Sequence, residues 1–555
     1  MFKGGFSFAL AGMVLLSAAA NAETVTVTQL SNNTIQDAYF WLNNVGDVAW
    51  TAYETGDSEI YYYDADTQTT IAVTNNTDED YGVALNNRGD LVWLQQSPNP
   101  DSTAIGSTIT KIMLRSAADG SISEITRSAY GIYSVQINDN GDIVWLDYDV
   151  YPDDPDVYKY NAATGSISNV SANDTYDYYP RLNGRGDIAW VNGSGNDAEI
   201  YLYTAATDSA ANISNNNFAD TSWYLAVNNS GDVTWGGFIN GESHIFRHDG
   251  DTGVTQQLTV DNGAYDTNQW LSSNGDVVWS SNSNVVLYDA AAKTVTQLTN
   301  DTLPRSNIVI DSLGNLTWQG QDPTGTDTDM FFYDRASGVI SNISNNDVND
   351  NYYWMNSHGD VAWTSNTGTA SEIIFYSNAT KTTTQITNDT LQDYSVVLND
   401  QLDMVWLKND GDSEVMLGKV ETTVPLDLTY ARATQDEEDG EIKIRVNSEI
   451  ALPSQTDQIT VSLDGVTVLD VPFSAFVAEE GGDQYEYESS VVEAKLDIAE
   501  GYFKVKIRDP LASTIDTSDG VYLVISIGNA LGAGQIQVTP INDGHHGDHD
   551  GHRGM

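Results

Sequence analysis

Short stretches rich in aromatic and β-branched residues follow one another along most of the chain, and many alternate polar with apolar positions. Glu199-Ile-Tyr-Leu-Tyr203 is an example, and Gly-Asp or Asn-Gly pairs separate such stretches. This alternation is typical of β-strands, and the separating pairs are typical of tight turns. The pattern therefore predicts a chain built of short antiparallel strands.

One motif recurs through this series: Asn-x-x-Gly-Asp, a hydrophobic residue, a small or β-branched residue, and Trp. Copies end at Trp50, Trp93, Trp145, Trp190, Trp235 and Trp363, and looser copies end at Trp279, Trp318 and Trp406. The fourth copy predicts strands at 179–183, 188–191, 199–203 and 211–214. Four strands in about 40–45 residues is the period of a propeller blade. The predicted fold class is all-β, with a β-propeller of about nine four-stranded blades.

The ends of this repeat array predict how the ring closes. Val25–Leu30 is similar to the fourth-strand segments of other repeats, such as Val295–Thr299, whereas the last repeat stops at Val420 after three strands. The N-terminal strand is expected to complete the last blade, which leaves no open sheet edge. We therefore assign residues 23–422 to the propeller.

A different all-β pattern follows the repeats. Strands are expected at 441–446, 458–463, 485–488, 502–507, 521–527 and 535–538. Their number and length favour a β-sandwich over residues 423–541.

The two termini carry separate signals. Lys3, the apolar run Phe6–Ala20 and the small residues before Glu23 predict a secretory signal peptide, residues 1–22, cleaved after Ala22. The product is expected in the periplasm or outside the cell, with no membrane span. Residues 542–555 form a tail whose histidines predict a weak metal site, because no fixed scaffold surrounds them. These are His545, His546, His549 and His552.

Charge narrows the partners. The 555 residues include 79 Asp plus Glu but 23 Lys plus Arg, giving a formal charge of −56, and no cysteine. Phosphate backbones need a basic face, and no basic patch is evident along the sequence, so nucleic acid is not an expected partner. The absence of cysteine excludes disulfides and thiolate metal sites. A glycan or a cell-envelope protein is the expected partner.

A carboxylate recurs thirteen residues before the motif Trp. It is present as Asp37, Asp80, Asp177, Asp266, Asp350 and Asp393, with Asp220 displaced by an insertion, whereas Ile132 and Arg305 occupy the position in the other repeats. The position is expected in the loop that enters the innermost strand, so these side chains are expected around one mouth of the central channel. Two interpretations remain open: acceptors that cap the loops, or ligands for a bound molecule or for calcium, which prefers oxygen donors.

Aromatic residues follow the recurring carboxylate. They include Tyr39, Trp41, Tyr81, Tyr178, Tyr179, Trp223, Trp270, Tyr352, Trp354 and Tyr394. Such side chains either fill the blade interfaces or, at the channel mouth, stack on sugar rings. The predicted ligand-binding set combines Tyr39, Tyr81, Trp270 and Tyr394 with the carboxylates and Arg305.

Three segments carry a family resemblance: Asn86–Trp93, Ile60–Asp64 and Gln297–Thr299. They are similar to the turn, the Ile-Tyr-x-x-Asp strand and the Leu-Thr segment of TolB-type and WD40-like propeller repeats, across about residues 24–420. The resemblance implies a secreted propeller but no particular activity.

Motifs of common catalytic centres are absent from the sequence, including Gly-x-Ser-x-Gly, His-Glu-x-x-His and the phosphate-binding loop. The sequence therefore predicts a non-catalytic protein that binds a glycan or an envelope protein. One alternative is a polysaccharide lyase or glycosidase at the channel mouth, with Arg305 as the residue that breaks the repeat. A second is a structural surface or biofilm component attached through its second domain.

Overall fold

The regular secondary structure of the computed structural model is almost entirely β-strand, which confirms the predicted all-β class, and a short 3₁₀ turn lies at Phe473–Ala475. None of the residues that it describes forms a helix able to cross a membrane. The expected signal peptide and the four tail histidines lie outside the described residues. The structure describes residues 23–541 except 54–55, 101–106, 149–153, 196–197, 261–262, 322–326, 423, 426–429, 437–440, 448–457, 464–465, 480–483, 501, 509–510, 513–520, 528–529 and 537.

Residues Val25–Val420 form one compact unit of nine successive blades. In blades 1 to 8 four antiparallel strands pair in chain order, and at most junctions the first strand contacts the first strand of the next blade. The first strands are therefore innermost, around a central channel. Seven blades are separate sheets, and one residue pair, Ser371 with Gln392, joins the eighth blade to the ninth. This arrangement is a β-propeller.

The strand bounds follow the repeat. They are Gln36–Leu42, Val48–Tyr53, Ser58–Asp64 and Thr69–Ala72 in blade 1; Glu79–Leu85, Leu91–Pro98, Thr108–Arg115 and Ile122–Ser128 in blade 2; Ile132–Ile137, Ile143–Tyr148, Pro155–Asn161 and Ser166–Asn169 in blade 3; Asp177–Leu182, Ile188–Asn192, Glu199–Thr204 and Ser209–Asn212 in blade 4; and Ala219–Val227, Val233–Ile239, Glu242–Asp249 and Val254–Gln257 in blade 5. They continue with Asp266–Leu271, Val277–Ser281, Asn284–Asp289 and Thr294–Gln297 in blade 6; Arg305–Ile310, Leu316–Gln321, Thr328–Asp334 and Val339–Asn342 in blade 7; Asn349–Met355, Val361–Asn366, Ser371–Ser377 and Thr382–Gln385 in blade 8; and Gln392–Leu398, Asp403–Asn409 and Ser413–Thr422 in blade 9.

The N-terminal strand, Glu23–Gln29, closes the ring by pairing with Ser413–Thr422 as the fourth strand of blade 9. Beyond the strand, Ser31 Oγ donates to Glu414 Oε2 at 2.6 Å and accepts from the Val415 amide at 2.8 Å. Thr74 holds the equivalent position after the fourth strand of blade 1, and its Oγ1 likewise accepts a hydrogen bond from the backbone amide of a third-strand residue, Ile60. The N-terminal segment thus takes the place of a fourth strand, and the predicted closure is confirmed.

The motif tryptophans form the core of the blades. All nine are buried, and several stack on an aromatic ring of the third strand, as Trp190 does on Tyr201 with 5.6 Å between centroids. The motif Asp joins the two turns at one end of its blade, since Asp47 Oδ1 accepts from the Ala65 amide at 2.9 Å. The motif therefore encodes packing and turn geometry within each blade.

The motif Asn links each blade to the next. Its side-chain amide donates to the backbone carbonyl of the equivalent residue in the following blade, as Asn43 does to Asn86 at 3.0 Å. The last contact, from Asn399 to the Asn43 carbonyl at 2.9 Å, joins blade 9 to blade 1. Ser272 and Asp311 occupy this position in blades 6 and 7 and lack the amide donor. The series of Asn-to-carbonyl hydrogen bonds is thus interrupted on both sides of blade 7, and Ser312 Oγ instead donates to the Ser357 carbonyl of blade 8 at 2.6 Å.

From Glu421 onward the chain forms a separate unit of two sheets. One contains Val424–Pro425, Ala530–Ile536, Val521–Ile527, Gln458–Leu463 and Val466–Pro472, and the other contains Val477–Ala478, Gln484–Glu488, Val492–Asp497, Tyr502–Ile507, Ile442–Asn447, Tyr430–Asp436 and Val538–Ile541, each in spatial order. Alternate residues of both sheets, such as Ile444, Val461 and Phe503, share one apolar core. The unit is a β-sandwich.

Candidate functional site

The recurring carboxylates lie inside their blades. Asp37, Asp80, Asp177, Asp220, Asp266, Asp350 and Asp393 are all at most 4% exposed. In six blades the indole N–H of the motif Trp donates to this carboxylate at 2.7–3.0 Å, as Trp190 does to Asp177. The sequence predicted these residues in the loop that enters the first strand, whereas the structure places them within that strand, with side chains that point to the blade core rather than onto the channel mouth.

In five blades, the side-chain amide of an asparagine four residues before the carboxylate donates a hydrogen bond to the second carboxylate oxygen. Asn76 Nδ2 donates to Asp80 at 2.6 Å, while the backbone N–H of Asn76 donates to the Glu59 carboxylate of the preceding blade at 2.7 Å. The carboxylate therefore connects the loop between two blades to the Trp of the second blade. Among the described residues, the only group of three acidic side chains close enough to share a metal ion is Asp410, Asp412 and Glu414. Calcium binding by the recurring carboxylates stays a prediction.

Burial changes the acidity of these groups. Desolvation raises the pKa of Asp37, Asp177 and Asp220 to about 6, although hydrogen bonds from neighbouring side chains oppose the increase. Desolvation also raises the pKa of Asp80, Asp266, Asp350 and Asp393. The carboxylates are thus internal titrating groups.

The two blades without the carboxylate show what it contributes. Ile132 and Arg305 take the place of the carboxylate in blades 3 and 7, and there the buried Nε1 atoms of Trp145 and Trp318 have no hydrogen-bond partner among the described residues. Arg305 pairs instead with Asp301 at 2.7 Å, and its side chain is 9% exposed. Asp301 and Arg305 therefore replace the Asn–Asp pair of other blades, and Arg305 is held in a structural ion pair.

Each first strand also contains a β-bulge that the sequence did not reveal. The residue two positions after the carboxylate, or four in blade 5, has a positive φ in all nine blades: Tyr39, Gly82, Ser134, Tyr179, Tyr224, Asn268, Asn307, Tyr352 and Ser395. This conformation costs about 1–2 kcal/mol for residues other than glycine. Strained backbone of this kind concentrates at functional sites. In four blades a tyrosine occupies this strained position, which makes the bulges candidate functional positions.

Several aromatic side chains on the first strands are exposed on the inner side of the ring, which we term the channel face. Tyr39 and Tyr352 are 69% and 72% exposed, and Trp41, Trp270 and Trp354 are about half exposed. Of the other predicted binding residues, Tyr81 packs against the apolar cluster between blades 2 and 3. Tyr394 is half-buried, and its hydroxyl hydrogen-bonds Ser413 Oγ at 2.7 Å. The structure therefore brings two of the four predicted aromatics, Tyr39 and Trp270, to the channel face.

Blades 6, 7 and 8 form a recess on this face. The cavity has a volume of about 620 Å³, and its lining includes Trp270, Asn307, Val309, Gln319, Tyr352 and Trp354. The first strand of blade 7 carries Asn307 and Val309 at the positions where blade 8 carries Tyr352 and Trp354. The smaller side chains of blade 7 leave a gap between two tryptophan-bearing walls.

Polar groups on the floor of this recess are fixed by hydrogen bonds. Asn307 Nδ2 donates to Gln319 Oε1 at 2.8 Å, and Gln319 Nε2 donates to the Asp350 carbonyl at 3.0 Å. Asn307 Oδ1 accepts no hydrogen bond from the part of the chain that the structure describes. None of the described lining residues is charged. Sequence reasoning missed Asn307 and Gln319, whose only signal was the irregularity of their repeat.

Comparisons with known proteins give structural likeness alone. No family model and no curated protein matches the chain. Dipeptidyl peptidase 4 from Porphyromonas gingivalis is similar in structure at a TM-score of 0.46 and 8% identity, over 65% of this chain and 63% of that one, so the chain spans less than two thirds of its length.

Two smaller proteins align over most of their own length. TolB from Acinetobacter baumannii aligns at a TM-score of 0.28 and 13% identity, over 55% of this chain and 82% of that one. An oligogalacturonate lyase from Vibrio parahaemolyticus aligns at 0.38 and 8% identity, over 72% and 97%. The propeller assignment rests on the strand pairing described above.

Proposed function

Taking the chain as a nine-bladed propeller followed by a β-sandwich, we propose that it is a non-catalytic binding protein whose channel face recognises a neutral glycan. The recess between Trp270 and Trp354 is the observation that carries this proposal. Sugar rings have flat apolar faces that stack on exposed aromatic rings, and hydroxyls that bond to fixed amides. The recess offers both kinds of surface.

The uncharged lining selects the class of sugar. A buried or half-buried charge without a partner is costly, so a recess without cations gives a uronate or sulfate group no counter-charge. The surrounding chain is also strongly acidic and repels anions. A neutral polysaccharide carries neither penalty, and it meets an amide acceptor at Asn307 Oδ1.

The same lining supports binding rather than bond cleavage. Glycoside hydrolysis uses two carboxyl groups on either side of the scissile bond. The described lining contains no Asp, Glu, His, Lys or Arg. Removal from solvent raises the pKa of Tyr353 above its ordinary value, so its hydroxyl stays protonated and is not available as a catalytic base. Arg305, on which the enzyme alternative depends, is not part of the lining.

Affinity electrophoresis of the protein with dextran, a β-glucan and a galactomannan tests the proposal. Retention by at least one polymer is expected. Trp270→Ala and Trp354→Ala should each weaken it about tenfold, because each removes a stacking ring worth about 1 kcal/mol or more. Trp41→Ala is the matched control, since Trp41 holds the equivalent first-strand position in blade 1 and is similarly exposed.

Two results would contradict the proposal. Equal weakening by Trp41→Ala would show that the recess is not the site. Shorter polysaccharide chains after incubation would establish an enzyme, and the chain-length profile of the recovered polymer measures this directly.

A further inference from the structure

The β-sandwich concentrates positive charge that the sequence disperses. The whole chain contains 23 Lys plus Arg, and five of them lie on three adjacent strands of the seven-stranded sheet: Lys443, Arg445, Lys495, Lys504 and Lys506. They alternate with core residues such as Ile444 and Val505, so all five face away from the core. We term this surface the basic face.

The strand register arranges these cations in rows. Lys504 lies directly opposite Lys495 on one side and Arg445 on the other, and Lys506 lies opposite Lys443. Like charges directly opposite one another destabilise a sheet. Salt bridges from Glu441, Glu479 and Glu486 offset part of this repulsion, and a ligand of opposite charge would offset more of it.

The basic face is concave. A cavity of about 560 Å³ runs over it, and its described lining contains the five cations but one acidic residue, Glu493. The side chains of Lys443, Lys495 and Lys506 are 26–43% exposed. Their charged ends therefore line an open groove.

Acidic residues at the rim hold some of these lysines in place. Glu441 contacts Lys506 at 2.8 Å, and Glu479 and Glu486 each contact Lys495 at 2.9 Å. An ammonium group has three donors, so these pairs leave donors for a ligand. Arg445 and Lys504 lie over the Tyr502 ring at 4.6 and 4.3 Å, which fixes the centre of the array.

We propose that the basic face binds an anionic polysaccharide through its carboxylate or sulfate groups. Charge complementarity requires an anion, and the groove shape favours a narrow linear chain over the rounded surface of a folded protein. Regular rows of cations match a polymer that repeats its charge along its length. This site is distinct from the neutral recess of the propeller, so each proposal can fail without the other.

The test uses the full-length protein and three probes: polygalacturonate, dextran sulfate and single-stranded oligothymidylate. The variant Arg445→Gln/Lys504→Gln/Lys506→Gln is expected to weaken binding of an anionic glycan at least about tenfold, because charge-assisted contacts are the strong ones. A control of equal charge change, Lys159→Gln/Lys381→Gln/Lys408→Gln in the propeller, should keep wild-type affinity. Comparing the first two probes distinguishes carboxylate from sulfate recognition.

A second variant tests anion binding at the basic face even if the triple variant folds poorly. Glu493→Gln removes the acidic residue of the lining and should strengthen binding several-fold. Undiminished glycan binding by a folded triple variant, or tighter binding of oligothymidylate than of either glycan, would overturn the proposal. So would self-association in size-exclusion chromatography that only the triple variant loses, since this would make a second copy of the chain the occupant.

Discussion

The Asp177 side chain connects the loop between blades 3 and 4 to the core of blade 4. Its carboxylate accepts hydrogen bonds from Trp190, Asn192 and Asn173, all within 3.1 Å. Burying an ionised carboxylate is costly unless such donors replace water, and charge-assisted hydrogen bonds are the strongest available replacement. The increased pKa shows that the replacement is incomplete, which has a measurable consequence.

Acid should stabilise the propeller through this group. The pKa of Asp177 is about 6 in the folded chain, against about 3.9 when unfolded. Its stabilisation is therefore complete below the unfolded pKa and is lost as pH rises through about 6. Asp177→Asn cannot titrate, so its Tm should fall less than that of the wild type between about pH 4 and pH 7. Thermal melts across this range measure the difference.

Asp174→Asn is the control for that experiment, because Asp174 is an exposed residue of the same loop. It should keep the wild-type pH dependence. Equal slopes for the wild type and Asp177→Asn would show that the buried carboxylate does not titrate in this range.

At this scale the sequence predicted positions better than roles. The thirteen-residue spacing located six of the seven recurring carboxylates, an insertion displaces Asp220, and the motif located the nine core tryptophans. A spacing does not show which way a first-strand side chain points, because the bulge that follows the carboxylate changes the alternation. The sequence therefore left capping and ligand binding open. The structure shows these carboxylates accepting hydrogen bonds from Trp and Asn side chains, and ligand or calcium binding stays a prediction.

The first strand is the element in which strain and exposure coincide. Its bulge holds Tyr352 at φ 44°, and the same conformation recurs at Tyr179 with φ 56°. An unconstrained fold would place glycine here, as blade 2 does with Gly82. Keeping an exposed tyrosine in this conformation points to selection for the ring rather than for stability.

Replacing this tyrosine should separate stability from binding. Tyr352→Gly is expected to maintain the free energy of unfolding or raise it by up to about 1 kcal/mol, because glycine adopts positive φ without a Cβ clash. The same variant should weaken neutral-glycan binding, since Tyr352 lines the recess. Denaturant unfolding and affinity electrophoresis measure the two effects.

Tyr179→Gly has the same backbone change in blade 4, outside the recess, and should leave binding unchanged. A large loss of stability in both variants would show that the tyrosine rings stabilise the fold by packing and do not serve ligand binding.

Strand positions were well predicted, because alternation and turn residues encode them locally. Gln458–Leu463, Tyr502–Ile507 and Val521–Ile527 match the expected bounds. In blade 4 the fourth strand is Ser209–Asn212, two residues before its expected start. The bulges were not predicted, because a positive φ at tyrosine leaves no mark in a hydrophobic pattern.

Across the whole molecule, charge distribution depends on topology. A formal charge of −56 suggests a uniformly acidic surface, yet the fold gathers cations from Lys443 to Lys506 on one sheet. The strand Ile442–Asn447 lies far along the sequence from the hairpin of Val492–Asp497 and Tyr502–Ile507, and it becomes their neighbour only when the sheet forms. The sequence therefore showed no basic patch, although the folded chain has one.

Ring closure gives a prediction for the complete propeller. Deleting residues 23–31 removes the strand that pairs with Ser413–Thr422 and the Ser31–Glu414 contact. The exposed edge should lower the Tm and promote self-association, because an unpaired strand is a template for pairing. Melting curves and size-exclusion chromatography at several concentrations measure both effects.

A peptide spanning residues 23–33 serves as the control. Added to the shortened chain, it should restore the Tm and the monomer by filling the vacant edge. A shortened chain that is monomeric and melts like the wild type would show that the strand does not hold the ring together.

The Ser31–Glu414 contact joins residues 383 positions apart. A ribosome makes the N-terminal strand first and its partner only after eight complete blades have been synthesised. The earliest segment must therefore stay unpaired for most of the time that the chain is being made, and closure becomes possible only when the last blade exists. A chain interrupted at any blade keeps an open end, so closing the ring distinguishes a finished molecule from an unfinished one.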